Sequence, residues 1–206
     1  MIYLKTFENQ THQNKILIIV DVQKSFRKFF SEMYLNKLKK YCESFQTVYQ
    51  IFDNHVDGSN IDKDYLYDDD HEISIHDDLY EFPNQKDIIE KRYNYNINVD
   101  FYKKILSVKD LKKIKELETS GKLKIGDLFK TKEDTYIIFI GNKHRWLHLP
   151  KKLINIFQSL KGKEVTFVGG ADAECLTDIF ISAESLGVKA KRDHRYIYSA
   201  THCPIK

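Results

Sequence analysis

The chain has 206 residues, and at roughly 150 residues per domain one large domain carrying an insertion is favoured over two. Hydrophobic residues at 42%, charged residues at 31%, and only 8 Gly and 3 Pro exclude a disordered, collagen-like or low-complexity chain. A net charge of +3 selects no partner, and no apolar run approaches the roughly 20 residues of a bilayer span.

Residues 15–22, KILIIVDV, form a β-branched apolar run ending at an acid, which predicts a buried parallel strand with its C-terminal end at Asp21. In residues 31–45, Met33, Leu35, Leu38, Cys42 and Phe45 recur at near-helical spacing, and TVYQIF at 47–52 reads as the next strand, completing a βαβ unit. Residues 53–90 hold 13 Asp/Glu and 2 Lys, and Asp68, Asp69 and Asp70 sit in an expected loop. Residues 103–152 hold 14 Lys/Arg against 6 Asp/Glu. Within that stretch VKDLKKIKELETSG predicts a helix and TYIIFIG a strand, so residues 99–148 are expected to form a Lys-rich insertion. The basic surface raises nucleic-acid binding as a reading, although the stretch carries no recognition motif. His144, Trp146 and His148 are expected either to pack the insertion or to face a substrate as a lid.

The alternation then resumes. LPKKLINIFQSL predicts a helix burying Leu153, Ile156, Phe157 and Leu160, and VTFVGG predicts a strand. AECLTDIFISAESLG predicts a helix stopped by Gly187, and VKAKRD a shorter strand. The expected fold class is therefore α/β, a mainly parallel sheet with helices on both faces, as in Rossmann-like three-layer folds.

Cys42, Cys175 and Cys203 are too few and too oddly numbered for a disulfide framework. The N-terminal MIYLKTFENQTHQNK lacks the apolar segment of a signal peptide, so a cytoplasmic location with no membrane partner is expected. Open α/β sheets display their sites at the C-terminal strand ends, which brings forward Asp21, Lys91 after DIIEK, and Cys175 after VTFVGG. A thiol needs a base and a cation to act as a nucleophile, and Asp21 and Lys91 supply both types. Singly, each has a plainer reading: a helix N-cap, a solvated lysine, a small core thiol.

Three motifs in order resemble the isochorismatase-like cysteine hydrolases, the superfamily that includes the nicotinamidases. ILIIVDVQKSF carries Asp21, Gln23 and Phe26; IIEKRYNYNI carries Lys91 and then Tyr93 or Tyr95; VTFVGGADAECLTDIFISAESLGVKA carries Gly169, Cys175, Leu176, Ala183 and Gly187. The resemblance covers roughly residues 14–98 and 149–199. It implies a Cys-Asp-Lys triad of Cys175, Asp21 and Lys91 that hydrolyses a small amide through a thioester. It also implies a cis peptide at Gly170-Ala171, an oxyanion hole from the N–H groups of Ala171 and Cys175, and substrate contacts at Phe26 and Gly170. The nicotinamidase branch is suggested by Asp53-Asn54-His55, similar to that branch's Asp-x-His metal ligands, with His71 favoured over His76 as third ligand of zinc or iron.

Nicotinamide to nicotinate plus ammonia is the single reaction the resemblance favours. Another small amide, carbamoyl compound or vinyl ether is the alternative substrate, and a catalytically silent metabolite-binding or interaction module is the alternative class. A homo-oligomer is compatible with all three. Some positions depart from the family pattern. Asp172 stands where many members have Thr, Glu174 where an apolar residue is usual, and Asn54 where an aromatic is usual, while 84 residues separate Lys91 from Cys175, more than is usual. The two acids would repel anionic substrates if they face the pocket, or else would point to solvent at a helix N-terminus.

Overall fold

The computed structural model describes residues 15–53, 78–91, 104–141, 145–199 and 201–205. The main sheet holds β1 (Ile16–Val20), β2 (Thr47–Asp53), β3 (Gln85–Lys91), β7 (Glu164–Gly169) and β8 (Lys189–Ile197). Their order is β3-β2-β1-β7-β8, and every neighbouring pair is parallel. β1 is central and wholly buried, which is why it reads as an unbroken apolar run.

The two faces of β1 are divided by the strand's two-residue period. Leu17 and Ile19 share a core with Tyr34, Leu35 and Leu38 of helix α1 (Glu32–Cys42). Ile16, Ile18 and Val20 face the other way, into a core with Leu153 and Phe157 of helix α3 (Lys151–Ser159) and Leu176 and Ile179 of helix α4 (Cys175–Ser185). The result is a parallel sheet flanked by helices on both faces, an α/β three-layer arrangement. Each fully buried Leu or Ile in these cores contributes about 1.5–3 kcal/mol. Helix α1 starts at Ser31, whose hydroxyl accepts the Tyr34 N–H at 3.1 Å. It ends at Cys42, earlier than the apolar spacing to Phe45 suggests, because the N–H groups of Ser44 and Phe45 turn back onto the carbonyls of Tyr41 and Cys42.

Between β3 and β7 lie helix α2 (Val108–Thr119) and an antiparallel sheet of β4 (Leu128–Lys130), β5 (Thr135–Gly141) and β6 (Arg145–Pro150). This sheet continues past residue 148, and it is no loose appendage. Ile138, Ile140, Leu147 and Leu149 enter the same core as Ile18 and Phe157. Its other face buries Ile137 and Trp146 against Ile105, Leu106 and Ile114. Trp146 and His148 are both buried, and the His148 ring bonds the Thr135 hydroxyl, so both residues pack the small sheet. His144 lies outside the described residues. Among the described residues no helix is long and apolar enough to cross a membrane.

The point where β7 meets β1 tolerates only glycine. Gly169 has φ +102°, and a Cβ there would stand 2.0 Å from the Val20 carbonyl oxygen. Gly162 also has positive φ, +76°, but faces open space. Gly169→Ala is expected to cost at least about 3 kcal/mol or prevent folding, whereas Gly162→Ala costs only about 1 kcal/mol, measured by urea unfolding.

Candidate active site

Parallel strands carry their C-terminal ends to one edge, and here that edge collects charge. Asp21 follows β1, Asp53 ends β2 and Lys91 ends β3, paired in register with Asp53. The Lys91 ammonium, its side chain fully buried, crosses over β2 to form an ion pair with Asp21 Oδ2. It also lies 3.9 Å from Asp53 Oδ2. A bare buried ammonium costs several kcal/mol, so these two carboxylates are what permit it there.

Asp21 is itself held in a special backbone conformation, with φ +53°. Its N–H donates to the Ile51 carbonyl at 2.9 Å, and its carbonyl accepts from the Tyr198 hydroxyl at 2.5 Å. Burial is the largest influence on the Asp21 carboxyl and raises it from the ordinary carboxylate range to about 6; Lys91 opposes the rise, and the nearby Asp53 adds to it. For Lys91, burial acts to lower the pKa, but Asp21, Cys175 and Asp53 together outweigh it and hold the ammonium above its ordinary value. The pair is thus a raised carboxyl beside a firmly protonated lysine.

Cys175 opens helix α4, directly after the turn that leaves β7. It is partly exposed, while Cys42 and Cys203 are buried. Burial pushes the Cys42 thiol up to about 12, which leaves it inert. Cys175 lies beside the Asp21 carboxyl and acts on it in the direction of the charged carboxylate. The turn itself is fixed from several sides. The Gly170 N–H donates to the Val20 carbonyl at 2.9 Å, and the Gly170-Ala171 peptide is cis, the bond to which the resemblance assigned one. The Ala171 carbonyl accepts the N–H groups of Glu174 and Leu176, both at 3.2 Å.

A pocket of about 220 Å³ opens above these groups. Asp21, Ala171 and Cys175 line it together with the aromatic rings of Phe26, Phe29 and Tyr198. Its volume lies below the roughly 300 Å³ where sites for drug-sized ligands begin, which suits a small molecule. Gly170 lies under the Tyr198 ring, and a Cβ there would come within 2.4 Å of it.

Tyr198 belongs to the site although no sequence motif marks it. Its hydroxyl holds the Asp21 carbonyl, its N–H reaches the Gly169 carbonyl at 2.9 Å, and its carbonyl accepts the Asp172 N–H at 2.9 Å, so one residue ties three parts of the site together. Only its place just beyond a strand next to β7 could have pointed to it. Gln23, a motif residue with no assigned role, clamps the end of β2: its Oε1 accepts the Asp53 N–H and its Nε2 donates to the Asp53 carbonyl, each at 2.9 Å. Asp78 in turn accepts from Gln23 Nε2 at 2.5 Å and from the Ser25 hydroxyl at 2.8 Å.

Of the expected metal ligands, His55 and His71, with the alternative His76, lie outside the described residues. Among the described residues no three His, Cys, Asp or Glu side chains stand together as a metal-binding group. Asp53 is the described member of the set. Its carboxylate lies 3.9 Å from the Lys91 ammonium, beyond direct hydrogen-bond range.

Removing Lys91 leaves two buried carboxylates facing each other. Lys91→Met is expected to destabilise the fold by about 3–5 kcal/mol at neutral pH, and the charge-conserving Asp21→Asn/Lys91→Met pair to recover most of that loss, read by urea unfolding. No protein-family model, curated protein or solved structure matches this chain, so the site stands on its own residues and geometry.

Proposed function

We propose that the protein is a hydrolase of small amides, an isochorismatase-like cysteine hydrolase with Cys175, Asp21 and Lys91 as its triad and nicotinamide as the favoured substrate. The observation that carries this reading is one partly exposed thiol at a helix N-terminus, set beside a buried carboxylate–lysine pair at the mouth of a small pocket. In this reading residues 99–148 are an insertion into a single hydrolase domain.

Asp21 takes the Cys175 proton, and Sγ attacks the amide carbon. The oxyanion so formed accepts hydrogen bonds from the Ala171 and Cys175 N–H groups, with the α4 N-terminus adding its partial positive charge. Asp21 returns the proton to the leaving nitrogen, the C–N bond breaks, and ammonia departs from a thioester. Water then adds to the thioester as Asp21 accepts its proton, and collapse frees the carboxylic acid and the thiol. Lys91 keeps the Asp21 carboxylate oriented and stabilises the thiolate. A divalent metal held by Asp53 with His55 and His71 would supply a Lewis-acid contact for a substrate ring nitrogen or a water.

Purified protein is expected to release ammonia from nicotinamide, and Cys175→Ala to lower the rate by at least about a thousandfold. Metal content measured on the same sample tests the Asp53 site. No turnover by metal-loaded protein would redirect the proposal to another small carbonyl substrate, and no turnover with no metal would favour a silent binding module. Asp21 accepts a proton only when ionised, and its carboxyl is raised to about 6, so kcat/KM is expected to rise with pH through about 6. A flat profile between pH 5 and 7, chosen as roughly one unit either side of that value, would show that Asp21 is not the base.

A further inference from the structure

Glu174 also lines the pocket, next to the thiol. Three roles could occupy an acid at this place, and the structure speaks against two. As N-cap of α4 it makes no side-chain capping bond, so the helix does not hold its carboxylate. Among the described residues it has no ion pair, in contrast to Asp172, which accepts from Arg192 at 3.1 Å. Glu174 is exposed, so its charge stands in the solvent at the pocket mouth.

The rest of the pocket offers little to offset that charge. Asp21 is the other acid in the lining, and its charge is already balanced by Lys91 beneath it. The N-terminus of α4 returns only about half a positive charge. Among the described residues no cationic side chain lines the pocket. Lys28 stands over the Phe29 ring at 5.1 Å but lines the adjoining groove.

We infer that Glu174 makes the pocket selective by charge, so that it admits small neutral or cationic amides and rejects substrates carrying a carboxylate. The inference rests on the cysteine-hydrolase reading and narrows its substrate class. The same field favours release of the product, because hydrolysis turns a neutral amide into an anion beside Glu174.

The test uses Cys175 as its own reporter and needs no substrate. The purified protein is treated with methanethiosulfonates that differ in charge: a trimethylammonium-ethyl cation, a sulfonatoethyl anion and the neutral methyl reagent. Rates are normalised to those with 2-mercaptoethanol, and the modified cysteine is assigned by peptide mass with Cys175→Ala as blank. The cation is expected to react about tenfold faster than the anion at low salt, and Glu174→Gln to reduce that ratio at least about threefold. A ratio near one, or a ratio unchanged in Glu174→Gln, would overturn the inference while leaving the nucleophile reading intact. Failure of the neutral reagent to modify Cys175 would overturn the nucleophile reading and the selectivity together.

Discussion

A lysine ammonium buried at the end of a β-sheet is the constraint on which this site depends. Lys91 could not remain charged there alone, and its placement requires anions from two other strands. The parallel order β3-β2-β1 brings Asp21, Asp53 and Lys91 to one edge. The sheet topology and the charge network therefore specify each other. A shift of one residue along β3 would turn Lys91 to the opposite face and leave Asp21 buried without its partner.

The remaining parts hold this arrangement in place. Glycine at 169 lets β7 approach β1 so closely that the Val20 carbonyl fills the space a side chain would need. Gln23 grips the backbone of Asp53, and Tyr198 grips that of Asp21 and braces the turn leading to Cys175. These are directional bonds in a largely buried setting, where each fixes geometry as well as adding stability. The thiol alone is left partly accessible, and its two sister thiols are buried.

The main strands were legible because their burial is written in composition. β1, β2 and β7 are nearly continuous apolar runs, as strands covered on both faces must be. β8 was read too short, because as an edge strand it carries RDHR in its second half and exposes much of it. β4 and β6 were not read at all: one has three residues, and the other, RWLHLP, mixes apolar and polar residues and ends at proline. At the site, strand-end reasoning brought forward Asp21, Lys91 and Cys175, and the structure brings all three together. Asp53 was read as a metal ligand, and its nearness to Lys91 was not foreseen, because cross-strand register is invisible before the sheet order is known. Tyr198 was illegible for a similar reason, since its work is done on backbone carbonyls that carry no sequence signature.

Activation of Cys175 by Asp21 and Lys91 acting as a unit is open to measurement through the alkylation of Cys175 by neutral iodoacetamide. The comparison is between the wild type and the Asp21→Asn/Lys91→Met pair, which preserves the net charge of the buried site. At pH 7 Cys175 is expected to be the fastest of the three thiols in the wild type and to slow at least about tenfold in the paired variant. Equal rates in two folded proteins would contradict it, and would leave Cys175 an ordinary thiol beside a structural ion pair.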